Sequence, residues 1–321
     1  MSRFTVVIAD NRYASYREEE SVLKAVDASL VIFPSSSAEE AREVFAAADA
    51  ILVNLFPMTA DIIEALPRCR VISRYGVGYD NVDVEAATRK GIWVARVPDY
   101  CFEDVAEHAL ALLLGCVRKI AYKDRMVRQG RWNLHRDQPC YRMAGRTLGI
   151  VGYGNSGRCL HRKVFGFGFS RVLVRDPNVR SSVIRAAGAV PVDLPTLLAE
   201  SDYIMVHVPL TPRTRHMIGA PELAGVRPGA ILVNTARGQV LDEAALADAL
   251  RTGRLAGAGL DVFDVEPLPA DSPLRALDNV TFTDHAGWYS EESVVELKTK
   301  AAQNAAVVLA GGPPVYPVNS V

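Results

Sequence analysis

Short apolar runs alternate with stretches of helical spacing along the chain. In the first hundred residues, the runs at 4–9, 30–33, 50–55, 70–74 and 92–95 read as strands, and 38–48 and 61–66 carry helical spacing. Thr59 stands where the N-cap of the second of these helices belongs. A second alternation predicts strands at 148–152, 171–175, 203–208, 230–235, 257–262 and 280–283, with helices between most of them. Such alternation predicts parallel sheets covered by helices on both faces, hence an α/β chain of two doubly wound units. Between the two alternations, 103–120 reads as one long helix. Its apolar residues run nearly all the way round, which predicts burial between two bodies. A more polar helical stretch continues to about Arg131, and a last helix, 290–309, follows the final strand.

Composition adds bounds. At roughly 150 residues per domain, 321 residues suggest about two. A hydrophobic content of 49% with 23% charged residues excludes a disordered, collagen-like or coiled-coil chain. The 36 Lys and Arg nearly cancel 37 Asp and Glu, which speaks against a general nucleic-acid or anionic-membrane binder. The most apolar stretch, 109–117, falls far short of the ~20 residues of a membrane helix. The N-terminal apolar run is too short for a signal peptide. Five cysteines (Cys69, Cys101, Cys116, Cys140, Cys159) form no Cys-x-x-Cys pair, and a reducing cytoplasm is the simplest setting.

Gly152-Tyr153-Gly154-Asn155-Ser156-Gly157 follows a strand at once and opens a helical pattern. Glycines there let the backbone turn tightly and approach a pyrophosphate, and the helix start offers N–H groups and a positive dipole end. Asp176 closes the next strand, 19 residues past Gly157. A carboxylate there accepts ribose hydroxyls and repels a 2′-phosphate, favouring NAD over NADP, although Arg175 beside it weakens that exclusion. The second unit is therefore expected to be a Rossmann dinucleotide-binding domain.

Three more segments close consecutive strands: Asn234-Thr235-Ala236-Arg237-Gly238, Gly259-Leu260-Asp261-Val262-Phe263-Asp264-Val265-Glu266-Pro267 and Thr283-Asp284-His285-Ala286-Gly287-Trp288. In an open parallel sheet, ligands bind beyond the carboxyl ends of the strands. Hydride transfer to a 2-oxo acid needs a proton donor, a carboxylate to hold it and a clamp for the acid. His285, Glu266 and Arg237 supply these needs. Each has a plainer alternative, as a structural histidine, a loop acid and a surface charge; together on neighbouring strand ends they point to chemistry.

In this order, the glycine loop and the three segments resemble the D-isomer-specific 2-hydroxyacid dehydrogenases. The likeness extends over nearly the whole chain, including Arg74-Tyr75-Gly76-Val77-Gly78-Tyr79-Asp80-Asn81-Val82-Asp83. The segment from His285 to Glu292 is similar to the C-terminal-binding-protein branch of that family. The resemblance implies that Arg237 binds the substrate, that His285 is the acid/base and that Glu266 pairs with it. It implies cofactor contacts from Asn155, Ser156 and Asp176, with Val208, Thr235, Ala236 and Asp261 on the nicotinamide side. It implies that backbone N–H groups of Tyr75, Gly76, Val77 and Gly78 hold the substrate carboxylate, that Arg74 faces the substrate, and that Trp288 bounds the pocket. Residues 1–99 with 289–321 would form a substrate domain, 100–288 the NAD domain, with a cleft that closes. The 103–120 helix would build a homodimer. Asp284 departs from the usual Pro before the histidine, Phe102 from Thr or Ser, Arg96-Val97-Pro98 from Asn-Thr-Pro, and Asn155-Ser156 from Arg-Ile.

Two rival readings accompany an NAD-dependent dehydrogenase of a small 2-oxo or D-2-hydroxy acid. One is an NAD(H)-sensing corepressor-like protein with vestigial catalysis. The other is a dehydrogenase of an unusual acid, such as a phosphonate, held by Arg74 and Arg237. The basic stretch Arg118, Lys119, Lys123, Arg125, Arg128, Arg131 and Arg136 reads as a solvated helical face, since no aromatic interleaving accompanies it. His207 is expected only to satisfy backbone groups. With His216 it has no third donor at metal-ligand spacing, so no metal is expected. Cys101 is expected to be inert.

Overall fold

The computed structural model describes residues 2–34, 37–132 and 139–321. In chain order the elements are β1 (Phe4–Ile8), α1 (Arg17–Leu23), β2 (Ala28–Ile32), α2 (Ala38–Phe45), β3 (Ala50–Val53), α3 (Ala60–Glu64), β4 (Val71–Arg74), α4 (Val84–Arg89) and β5 (Trp93–Ala95). Then come α5 (Phe102–Arg118), α6 (Ile120–Arg128), β6 (Thr147–Val151), α7 (Asn155–Lys163), β7 (Arg171–Arg175), α8 (Ser181–Ala186), β8 (Val190–Pro191), α9 (Leu194–Glu200) and β9 (Tyr203–Val206). The chain finishes with α10 (Ala220–Gly225), β10 (Ala230–Asn234), α11 (Glu243–Arg251), β11 (Leu255–Leu260), β12 (Val280–Phe282) and α12 (Glu291–Leu309).

These elements form two compact units, Met1–Cys101 with Ser290–Val321, and Phe102–Tyr289. The first holds a five-stranded sheet in the order β2-β1-β3-β4-β5, the second a seven-stranded sheet in the order β12-β11-β10-β9-β6-β7-β8. Every recorded pairing within the sheets is parallel. Strand order reverses between β1 and β3 in the first sheet and between β6 and β9 in the second, the places where doubly wound sheets leave a crevice. Fully buried β3, and β10 up to Asn234, are continuous apolar runs, as strands covered on both faces should be.

The return of α12 to the first unit rests on side chains that no periodicity reveals. Its buried face carries Leu297, Ala301, Ala302, Ala305, Val308 and Leu309. Ser73 on β4 donates to the Ala301 carbonyl at 2.9 Å, and the buried Asn304 amide donates to the Arg96 carbonyl at 3.0 Å. Ser290 caps the helix by accepting from the Ser293 N–H at 2.9 Å. Thr59 does occupy the N-cap position of α3, but its side chain makes no capping hydrogen bond.

The expected 103–120 helix is corrected in one respect. Lys119 adopts a left-handed conformation (φ 54°) and separates α5 from α6. Within the chain, α5 buries Ala106, Ala109, Leu112, Leu113, Cys116 and Val117, while Ala111 is exposed. The 3.6-residue repeat puts those six on one stripe. In the basic stretch, Arg125 pairs with Asp278 and Arg128 with Asp124, while Arg136 lies outside the described residues. Among the described residues, no helix is long and apolar enough to cross a membrane.

Candidate functional site

The glycine loop leaves β6 with three glycines serving three purposes. Gly152 has φ +96°, and a Cβ there would meet the His207 carbonyl oxygen at 2.6 Å. At Gly157 a Cβ would sit 2.3 Å from the Gly152 carbonyl oxygen, so α7 can pack this close only without a side chain. Gly154 faces open space, with nothing within 4 Å of an added Cβ, and it begins α7 without a side-chain cap. Exposed Asn155 and half-buried Ser156 form the first turn. Asp176, at the end of β7, accepts from the Tyr153 N–H at 2.7 Å and the Asn178 N–H at 2.9 Å. It thus ties the glycine loop to the neighbouring strand end, a task the spacing argument did not assign. The Tyr153 hydroxyl lies 2.6 Å from His161 Nδ1, and burial lowers the His161 pKa.

The next strand ends carry unpaired polar atoms. His207, just past β9, has a buried Nε2 with no hydrogen-bond partner among the described residues, and so does the Thr235 hydroxyl just past β10. Burial lowers the His207 imidazole to about 4, so it is neutral at pH 7. The expectation that His207 only satisfies backbone groups is therefore incomplete. Val208 is buried and Ala236 half-buried beside them. Buried groups of this kind ask for an acceptor or donor from outside the chain. An open glycine cradle, a helix start without a side-chain cap and two orphaned polar atoms fit a dinucleotide, which when bound supplies the hydride.

Arg237 is presented by a tight turn. Asn234 is fully buried; its amide donates to the Arg237 carbonyl at 2.9 Å and its oxygen accepts from the Ala236 N–H at 3.0 Å. Gly238 follows because any Cβ would collide with the Phe263 backbone, 1.9 Å away. Half-buried Arg237 donates to the Ala236 carbonyl at 2.7 Å, and its charge acts on Glu266.

Glu266 accepts from the Phe263 N–H at 3.0 Å with one oxygen and lies 2.7 Å from His285 Nδ1 with the other. Burial raises the Glu266 pKa, but the bonds from His285 and Phe263 and the charges of His285 and Arg237 outweigh it, leaving a net lowering. The carboxylate stays ionised, and an imidazole held at Nδ1 keeps Nε2 to give or take a proton. The structure thus brings Arg237, Glu266 and His285 together in one unit.

His285 itself has φ 58°, a strained backbone that the surroundings impose. Asp261, 1% exposed, does so. Its carbonyl accepts from the His285 N–H at 2.8 Å, and its carboxylate accepts from Ala286 N–H (2.8 Å), Gly287 N–H (2.9 Å) and the Thr283 hydroxyl (2.6 Å). His108 on α5 adds its Nε2, 3.2 Å from Asp261 and 2.9 Å from the Thr283 hydroxyl. Burial pushes the Asp261 carboxyl up, but these hydrogen bonds prevail and hold it at about 2. Asp261, assigned to the cofactor from the sequence, is structurally the anchor of the histidine loop. Half-buried Trp288 follows that loop directly. His108 was missed because its partners lie some 150 to 175 positions away, with no local signal.

In the first unit, Arg74 ends β4. The Tyr75 N–H donates to the Val53 carbonyl at 2.8 Å and the Gly76 N–H to the Arg74 carbonyl at 3.0 Å. Two of the four expected carboxylate donors are therefore already used, which corrects the expectation for Tyr75 and Gly76. Val77 and Gly78 have N–H groups with no acceptor among the described residues. The Arg74 guanidinium folds back to donate to the Tyr75 carbonyl at 2.5 Å. It lies over Gly76, where a Cβ would be 1.6 Å away. Buried Tyr75 donates its hydroxyl to Glu19 at 2.9 Å.

Residues 110–287 match the profile of the NAD binding domain of the D-isomer specific 2-hydroxyacid dehydrogenases. The chain is similar to a glyoxylate reductase of Korarchaeum cryptofilum, 42% identical over 273 residues, covering 84% of this chain and 82% of the relative. It is also similar to a D-3-phosphoglycerate dehydrogenase of Methanocaldococcus jannaschii, 40% identical over 275 residues, which are 85% of this chain but 52% of that protein. Among solved structures, the D-lactate dehydrogenase of Aquifex aeolicus complexed with NAD and lactic acid superposes with a TM-score of 0.85 at 28% identity, covering 96% of each chain. The chain therefore belongs to the D-isomer-specific 2-hydroxyacid dehydrogenase family and is an NAD-dependent oxidoreductase of 2-oxo and 2-hydroxy acids.

Proposed function

We propose that this enzyme reduces a small 2-oxo acid such as glyoxylate, with His285 as the proton donor, Glu266 as its partner and Arg237 as the clamp on the substrate. The observation that carries the reading is the 2.7 Å contact between Glu266 and His285 Nδ1 beside Arg237. The proton leaves Nε2 for the developing alkoxide, and Glu266 stabilises the imidazolium before transfer. The unit of Met1–Cys101 and Ser290–Val321 serves as the substrate domain, with the Val77 and Gly78 amides for the carboxylate and Arg74, Tyr75 and Gly76 shaping that loop. Trp288 bounds the substrate. The unit of Phe102–Tyr289 serves as the NAD domain, with Gly152, Gly154, Asn155, Ser156 and Gly157 under the pyrophosphate. Asp176 takes the adenine ribose and Val208, Thr235 and Ala236 the nicotinamide side, while Asp261 holds the His285 loop beside them.

Glyoxylate is favoured because the glyoxylate reductase relative aligns over most of its length, whereas the phosphoglycerate dehydrogenase relative aligns over half. The likeness of the His285–Glu292 segment to the C-terminal-binding-protein branch belongs to this reading as a sequence affinity within the family. A cytoplasmic homodimer that uses the outer face of α5, with exposed Ala111, completes it. Light scattering on the purified protein reads the dimer directly.

The test is reduction of glyoxylate, pyruvate and hydroxypyruvate by NADH. His285→Ala should lower kcat by about 10²–10⁴ while NADH still binds with native affinity. Turnover close to native in that variant removes His285 from the reaction.

A further inference from the structure

The turn that carries Glu266 is pinned by two carboxylates on successive amides. The Phe263 N–H donates to Glu266 at 3.0 Å, and the Asp264 N–H donates to Glu243 Oε1 at 2.5 Å. Glu243 is the first residue of α11, behind the N-cap Asp242, so the helix start fixes its side chain against the loop after β11. The Asp264 carbonyl is held as well, by the Gln239 amide at 2.6 Å. Nothing in the proposed chemistry uses Glu243.

We propose that Glu243 is a positioning residue for the acid/base pair of Glu266 and His285: its carboxylate fixes the 263–266 turn that carries Glu266. The inference rests on the roles proposed for those two residues. Glu243 is faced by Asp264 and Glu266; Asp264 has His216 Nε2 at 4.0 Å; Glu266 has His285 at 2.7 Å and the charge of Arg237 opposite. Burial raises the Glu243 pKa; the Asp264 amide lowers it, and the Asp264 and Glu266 charges raise it further. Such mutual repulsion is how clustered carboxylates act on one another.

The experiment compares steady-state kinetics and NADH binding of two Glu243 variants of the full-length protein. Glu243→Gln keeps an oxygen for the Asp264 N–H and removes only the charge. Its kcat/KM should therefore stay close to native. Glu243→Ala removes the pin too, and kcat/KM should fall about tenfold with NADH affinity unchanged. Native kcat/KM in Glu243→Ala, or a loss in Glu243→Gln as large as in Glu243→Ala, overturns the positioning role. Absence of turnover in the native protein would instead defeat the functional reading.

Discussion

Two loops at the carboxyl edge of the seven-stranded sheet solve opposite problems. The glycine loop after β6 is defined by missing side chains: Gly152 and Gly157 have no room for a Cβ, and Gly154 faces open space. The loop after β12 is defined by one buried side chain, Asp261, whose carboxylate collects donors from Thr283, Ala286, Gly287 and His108. A loop that receives a large anion needs its own backbone amides exposed. A loop that presents one imidazole in a strained conformation needs those amides tied down. The first therefore tolerates little added volume, and the second little loss of charge.

The contrast is broken most sharply at Asp261. Asp261→Ala strands two backbone amides and His108, and should cost about 3 kcal/mol of stability or more, with turnover falling at least as far as in His285→Ala. Urea denaturation that matches the native curve would contradict the anchoring role. Asp261 also predicts an acid limb. Its folded pKa of about 2 lies below the unfolded value of ~3.9, so its stabilisation is complete above about pH 4 and is lost as pH falls towards 2. Asp261→Asn should flatten the loss of stability in that window, read by denaturation midpoints between pH 5 and 2.

Within the glycine loop, two like substitutions should part company. Gly157→Ala forces a methyl against the Gly152 carbonyl, and the expected destabilisation is about 2 kcal/mol. Gly154→Ala meets open space at φ −74°, so the melting temperature should stay near native while NADH affinity falls about tenfold, because the methyl occupies the space proposed for the pyrophosphate. Calorimetry and NADH fluorescence titration separate the two. Equal melting temperatures for both variants would refute the packing account. The smallest effect is expected at His108: His108→Gln keeps a donor near Asp261 and should lower kcat only severalfold, whereas His108→Leu should lower it further. Equal rates in the two variants would leave the ring without a role in holding the loop.

Much of this was legible in residue order. The strand–helix alternation located most strands to within two or three residues, and motif spacing singled out Arg237, Glu266 and His285, which the fold brings together. Glycine spacing marked the cradle, because a steric demand leaves a local trace. The failures share one cause. The break at Lys119 and the use of the Tyr75 and Gly76 amides depend on surroundings that spacing does not reveal. So does the anchoring of His285 by Asp261 and His108.

Local order decides what depends on neighbours along the chain: alternation of elements, tight turns where only glycine fits, and the motifs that close the strands. Packing decides what depends on neighbours in space. Among the described residues, it settled which amides remain open at Val77 and Gly78, which histidine stays neutral with an unpaired nitrogen at 207, and which backbone amides the carboxylates at 243 and 261 hold. Hydrogen bonds and charges act through a few ångströms of space whatever the separation along the chain, so those assignments had to wait for the folded molecule.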